Sequence, residues 1–518
     1  MATKILLLLV FFAITITVGL LFRKRSNSVS GFVLGGRSVG PWLTAFAYGT
    51  SYFSAVVFVG YAGQFGWKFG VSALWIGLGN ALVGCLLAWV ILARRTRVLT
   101  HHLGSATMPD FFGRRYNSRS LKIGASVVTF VFLVPYTASL FNGLSRLFET
   151  AFRVDFVYCI IGMAVLTAIY VIAGGYTATA VNDFIQGIIM LAGIIAVIAA
   201  VLAQNGGFSG SVTALANVPG SAPGVFASFF GPDPLSLLGV VLLTSVGTWG
   251  LPQMVQKFYS IKSERNIKTG TVISTIFAVV ISGGCYFLGG FGRLFADRIG
   301  TNELGNPAAG FDSVIPGMVA GFSDLLVGVV IVLVFAASIS TLSSLVMASA
   351  STLTLDFLKG NFVKKMDDRR SLLTIRALVG VFIVISAAIA VVQAKSTVTF
   401  IAQLMGVSWG ALAGAFLAPF LYGLYWKRVT KAAVWVNFIF ASALMLLNIF
   451  AKSLFPAILQ SPINAGAFTM LFGLILVPAV SMLTKRPDKK LTDDCFACFG
   501  VPVSVSKADS LGKGEINV

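Results

Sequence analysis

Thirteen apolar stretches of membrane-crossing length run along this 518-residue chain, and the connections between them alternate in charge. The stretches cover about 5–22, 41–63, 71–93, 121–143, 156–173, 181–204, 234–254, 267–290, 323–349, 374–393, 397–424, 431–451 and 465–484. Each is close to the roughly 20 residues a helix needs to cross the hydrocarbon of a bilayer. In lipid only helices satisfy every backbone group over such runs, and a membrane β-barrel would show shorter alternating segments. The chain reads as an all-α polytopic membrane protein with thirteen transmembrane helices.

With the N-terminus placed outside, the odd-numbered connections and their flanking turns hold 30 of the 38 Lys and Arg residues. Basic residues are retained on the cytoplasmic side, so the pattern predicts a multi-pass inner- or plasma-membrane protein with its N-terminus out and its C-terminus in. The first stretch is followed by its positive charge, Arg23-Lys24-Arg25, rather than preceded by it. That is the reverse of a signal peptide and predicts a retained helix.

Composition narrows the function classes. The chain is 57% hydrophobic and 11% charged, with a net charge of +20. That charge sits on membrane flanks, so its expected partner is the anionic face of the lipid bilayer, not nucleic acid. His101 and His102 read as solvated loop residues. Cys85, Cys159 and Cys285 read as small packing residues inside spans. Cys495 and Cys498 make one C-x-x-C, half a zinc site, in a polar tail after Arg486 that reads as poorly ordered. Neither Gly-x-Ser-x-Gly string, at 36–40 and 406–410, has the strand-to-helix turn of a nucleophile elbow, and no catalytic cluster accompanies them. An enzyme is not expected.

Two spans carry polar groups and helix breakers at mid-depth. The second contains Gly49-Thr50-Ser51-Tyr52-Phe53-Ser54, and the seventh contains Thr244-Ser245-Val246-Gly247-Thr248-Trp249-Gly250-Leu251-Pro252-Gln253. Broken helices are tolerated in membranes where they line a cavity or are buried in protein. The breaks lie five spans apart, as in a transporter built from two inverted five-helix repeats, spans 2–6 and 7–11. Two glycine-kinked helices packed on neighbours would give the same pattern.

In span 9, Ala337, Ser340 and Thr341 share one helix face by their i, i+3, i+4 spacing. A carbonyl and two hydroxyls are hard oxygen ligands suited to Na⁺. Hydroxyls that bond back to their own helix would look the same in sequence. Asp183 lies inside the membrane, where an acid marks a functional site, or it caps the start of span 6. Asp233 and Asp324 read as external caps.

Several motifs together resemble the sodium/solute symporter family. They are Phe32 to Pro41 with its Gly35-Gly36-Arg37, Met108-Pro109-Asp110-Phe111-Phe112, and Ala173-Gly174-Gly175-Tyr176 followed by Asp183 and Gln186. Leu251-Pro252-Gln253 through Lys257-Phe258, and Tyr425-Trp426-Lys427-Arg428 with Thr430, complete the series. The resemblance implies a LeuT-like core of two inverted five-helix repeats over 41–425. A peripheral first helix and loop (1–40), two peripheral helices (426–485) and a cytoplasmic tail (486–518) would surround it. It implies sodium binding by Thr50, Phe53, Ala337, Ser340 and Thr341, with Asp183 on the inward cation path. The sodium/proline branch is the most similar, but proline carriers place an Asp where this chain has Tyr52.

The expected function is a sodium-coupled symporter that imports a small organic solute, an amino acid or monocarboxylate, by alternating access. Ser51, Tyr52, Ser54, Thr248 and Trp249 are the candidate solute-binding residues. Neither break carries a basic residue, which suits a small zwitterion or monocarboxylate held by backbone N–H groups and hydroxyls better than a multiply charged anion. The alternatives are a proton-coupled or exchange carrier of the same fold, or a transporter-like membrane sensor.

Overall fold

The computed structural model describes residues 2–22, 27–359, 361–363, 366–394 and 401–500. The cluster Arg23–Arg25, Lys364, Lys365, the first residues of the eleventh expected span and the tail from residue 501 lie outside them. Among the described residues there is no β-strand, and eleven helical stretches are long and apolar enough to cross a membrane.

The difference from thirteen lies in two stretches. Val56–His102 runs 47 residues and Phe156–Ala203 runs 48. At 1.5 Å per residue each is about 70 Å long, against ~30 Å of hydrocarbon, so each holds enough chain for two crossings. Each is interrupted by one glycine outside helical conformation, Gly70 at φ 63°, ψ −142° and Gly175 at φ 60°, ψ −166°. Side chains exclude other residues from that backbone region. Expected spans 5 and 6 thus form one helical stretch broken at Gly175.

The helices differ in how deeply they sit. The apolar window of Ile401–Tyr425 is 94% buried and that of Asp324–Leu358 is 83% buried, against 22% for Ala2–Leu21. The first two form the interior, while the outer helices present exposed Ile161, Leu446 and Ile475 to the surroundings. One seam is tighter than side chains permit. A Cβ built on Gly66 would lie 2.0 Å from the carbonyl carbon of Gly289, and one on Gly289 would lie 2.0 Å from the carbonyl oxygen of Ala62. Ala62–Phe69 and Gly284–Gly290 therefore cross backbone on backbone, as small residues allow in membranes.

Several expectations are corrected. The segment read as loop at 206–211 enters a helix, Gly207–Ala216, and Ser211 is buried in it. The tail is not disordered where it is described. Lys489–Phe496 is a helix docked on the body, with Arg115 over the Phe496 ring at 4.9 Å, Arg95 over Phe499 at 4.1 Å and Lys427 paired to Asp493 at 2.7 Å. Two aromatic side chains in a polar segment supply that anchorage. Cys495 and Cys498 are buried there, and burial pushes the Cys498 thiol up to about 11. Asp233 does cap its helix through the Ser236 N–H at 3.0 Å. Asp324 does not cap; Ser323 does, and Asp324 pairs with Lys4 at 2.9 Å.

Not all of the basic residues meet lipid headgroups. Arg37, Arg97 and Arg115 are buried and donate to backbone carbonyls. Arg97 reaches Ile261 and Lys262 at 3.0 and 3.1 Å, Arg115 reaches Gly423 and Trp426 at 3.0 and 3.1 Å, and Arg37 reaches Ser105 at 2.6 Å. The fork of the guanidinium suits it to tying two carbonyls at once. His101 is half-buried at a helix end, 3.3 Å from the carbonyl of Tyr259, rather than solvated in a loop.

Candidate functional site

The first break follows from local sequence. Pro41 starts a helix that ends at Tyr52, and Thr50 and Ser51 turn their hydroxyls back to the carbonyls of Phe46 (2.9 Å) and Ala47 (2.6 Å). Such back-bonding competes with the helix ladder. Phe53 then takes an extended conformation, φ −94° and ψ 122°, before the chain resumes as a π-helical turn at Val56–Tyr61. The carbonyls of Thr50 and Phe53 are left facing the helix Asp324–Thr352.

That helix presents Ser340 and Thr341 to them. The Ser340 hydroxyl lies 3.1 Å from the Thr50 carbonyl and 2.9 Å from that of Ala337. The Thr341 hydroxyl lies 3.2 Å from Thr50 O, 3.1 Å from Phe53 O and 3.1 Å from Ala337 O. The hydroxyls thus bond back to their own helix and also reach across. Five oxygens converge, all from fully buried residues. The two hydroxyl protons leave lone pairs on the carbonyls and hydroxyls unused, so the cluster is electron-rich. A hard monovalent cation is the ligand such neutral oxygens suit.

The second break is built differently. Pro234–Gly247 ends at Thr248, Leu251 is extended, and Pro252 opens the half-helix Pro252–Tyr259. Thr248 donates to the carbonyl of Gly84 or Ser245, both at 2.9 Å, and the Trp249 indole donates to Val83 at 3.0 Å. Both side chains therefore turn toward the helix that follows Gly70. Tyr52 instead donates to Thr244 O at 3.3 Å and packs on Trp409, ring centres 5.9 Å apart. Trp409 also stacks against Gly247, whose Cβ would lie 3.1 Å from its ring, and Tyr136 meets it edge-on at 6.0 Å. Ser54 is buried at the first break, and Ser51 shares a 2.8 Å hydrogen bond with Ser344. Sequence reasoning missed Trp409 and Tyr136, which sit in apolar spans and look there like packing residues, and it named Thr244 at the second break without assigning it to the solute site.

Asp183 does not cap a helix. It lies inside Phe156–Ala203, fully buried, and neither carboxylate oxygen has a hydrogen-bond partner among the described residues. Its nearest charge is the Lys257 ammonium, 3.9 Å away. Counted by sequence with a basic cytoplasmic connection, Lys257 is 3% exposed and donates to Ser344 at 2.9 Å.

Comparison with known proteins bears on the family and the fold. The model of the family described as "Sodium:solute symporter family" matches residues 32–440. The osmoregulated proline transporter OpuE of Bacillus subtilis (strain 168) is 28% identical over 495 residues, covering 95% of this chain and 96% of that one. A sodium/proline symporter of Staphylococcus aureus is 32% identical over 437 residues, 82% of each chain. Among solved structures, a Na⁺-coupled sialic acid symporter in its substrate-bound outward-open state aligns with a TM-score of 0.77 at 16% identity, covering 94% of this chain and 98% of that one. Mhp1, a nucleobase-cation-symport-1 family transporter in a closed conformation, aligns at 0.52 and 14% identity, over 90% of this chain and 98% of that one. The fold is the LeuT-like fold of these transporters.

Proposed function

This chain belongs to the sodium:solute symporter family, and from that premise we propose that it imports a small zwitterionic amino acid, proline first among candidates, together with Na⁺. The observation that carries the reading is that the Ser340 and Thr341 hydroxyls lie 2.9–3.2 Å from the carbonyls of Thr50, Phe53 and Ala337, without a carboxylate. Neutral oxygens bind a monovalent ion and also let it go, which a symporter needs. Asp183 stands on the inward route from that cluster. Ser51, Tyr52 and Ser54 at the first break, with Trp409 opposite, form the solute site; Thr248 and Trp249 border it from the second break. The transport core is 41–425, crossed in ten of the chain's thirteen passes, with Gly70 and Gly175 dividing the two long helical stretches into separate crossings. The N-terminus is outside and the tail cytoplasmic.

Proline enters because the relatives named above carry it in their names, and Tyr52 distinguishes this chain from proline carriers with Asp at that place. The phenol offers a donor and a ring but no charge, which favours a compact apolar body beside the amino acid group. Purified protein in proteoliposomes is expected to accumulate proline when an inward Na⁺ gradient is the sole driving force. Accumulation driven by a proton gradient and indifferent to Na⁺ would overturn the coupling. Sodium-dependent thermal stabilisation by another solute would replace proline without touching the coupling. For topology, Ser209→Cys should react with an impermeant thiol reagent in intact cells and Ser120→Cys should not.

A further inference from the structure

Lys257 is the basic side chain that the cation route does not explain. It is carried inward by Pro252–Tyr259, the half-helix that follows the second break. Its ammonium donates to Ser344 at 2.9 Å, lies over the Tyr176 ring at 5.1 Å, and faces Asp183 at 3.9 Å. Ser344 in turn reaches the Ser340 carbonyl at 3.1 Å, and the hydroxyl of that same Ser340 belongs to the five-oxygen cluster. A continuous polar line thus joins Lys257 to the cation cluster. Next to it lies a cavity of ≈ 10 Å³ lined by Tyr176, Gln253, Lys257 and Ser344, about the room of one water. Gln186 and the Gln253 side-chain oxygen, like Asp183, are buried without hydrogen-bond partners among the described residues.

An unpaired carboxylate at this depth would hold any cation that reached it. A buried charge is tolerated only with a countercharge, and a pair whose partner is removed leaves the other uncompensated. We infer that Lys257 is a tethered cation that occupies Asp183 and Ser344, so that Na⁺ leaving the five-oxygen cluster passes inward instead of being trapped at the acid. Lys257 is a positioning residue for release; it does not ligate the ion. The inference rests on the sodium-coupled reading above.

The test measures Na⁺ binding without any solute, by Na⁺-dependent thermal stabilisation of the purified full chain, and proline uptake in proteoliposomes. Lys257→Met and Lys257→Gln, the second of which keeps a donor for Ser344, should each lower the half-saturating Na⁺ concentration about tenfold, a change of about 1.4 kcal/mol in binding. Their maximal uptake rate should fall. Lys257→Arg should stay near the original protein. Lys257→Met with Asp183→Asn should return Na⁺ binding to within about twofold of the original. A folded Lys257→Gln with unchanged Na⁺ binding overturns the inference, as does a double variant shifted tenfold in either direction. Should only the double variant insert in the membrane, its unshifted Na⁺ binding supports the inference. Absence of Na⁺-dependent stabilisation in the original protein would instead remove the sodium reading itself.

Discussion

The two broken spans solve the same problem in opposite ways. At the first, the backbone opens where Thr50 and Ser51 drain the helix ladder, and the freed carbonyls meet hydroxyls from Asp324–Thr352. At the second, the backbone opens beside glycines and is closed again by other backbone. A Cβ on Gly250 would lie 2.8 Å from the Ala413 Cα and 2.8 Å from the Leu417 N. In the proposed function one break offers oxygen to an ion; the other is sealed by close approach to Ile401–Tyr425 and aims the half-helix that bears Lys257. Pseudo-symmetric position therefore does not confer equivalent chemistry. Neighbouring side chains decide what a helix break does.

The largest expected effect strikes the first break. Ser340→Ala with Thr341→Ala removes two of the five oxygens and little volume. At about 1–1.5 kcal/mol per lost polar contact, the Na⁺ concentration for half-maximal uptake should rise about 30- to 150-fold, with protein still in the membrane. An unchanged Na⁺ dependence would mean that both hydroxyls only bond back to Ala337, and the two breaks would then be alike.

Gly250→Ala attacks the second break. The added methyl has backbone on its far side, so the expected cost is about 1–3 kcal/mol of stability. The melting temperature should fall while the Na⁺ dependence of the surviving protein stays as it was. A Na⁺ effect without a stability effect would make the second break a ligand site after all.

Asp183→Asn should slow proline uptake severalfold more than it weakens Na⁺ binding, because the acid stands on the way out rather than in the five-oxygen cluster. Equal losses in rate and in binding would place it in the cluster. The smallest effect separates two tryptophans. Trp409→Phe should raise the half-saturating solute concentration about fivefold, the scale of one aromatic contact, and Trp249→Phe by less. The reverse order would move the solute toward the helix that carries Val83.

Much of this was legible in the chain because the signals are local. Apolar length predicts helices, and Gly, Pro and hydroxyl runs at mid-span predict the breaks. The spacing of Ala337, Ser340 and Thr341 puts three oxygens on one face. What escaped was depth. Lys257 is five residues past Pro252, and nothing in that neighbourhood distinguishes a lysine at a membrane surface from one folded under a helix. Only its contacts with Ser344 and Asp183 do so. Trp409 escaped for the converse reason, since an aromatic residue in an apolar span has many packing uses. The docked tail escaped because its polarity outweighed Phe496 and Phe499, although two rings placed over arginines suffice to hold a short helix.

The crossing of Gly66 and Gly289 has a mechanical consequence. Where helices meet through side chains, those side chains act as bearings that can change rotamer and let surfaces slide. Here backbone presses on backbone, and neither helix can roll or advance without a collision of peptide planes. Ala62–Phe69, which continues the first break, is thereby locked to Gly284–Gly290. In the alternating access proposed above, these two segments would travel as one lever, with the bending taken up beyond the joint, at the extended residues around Phe53 and Leu251.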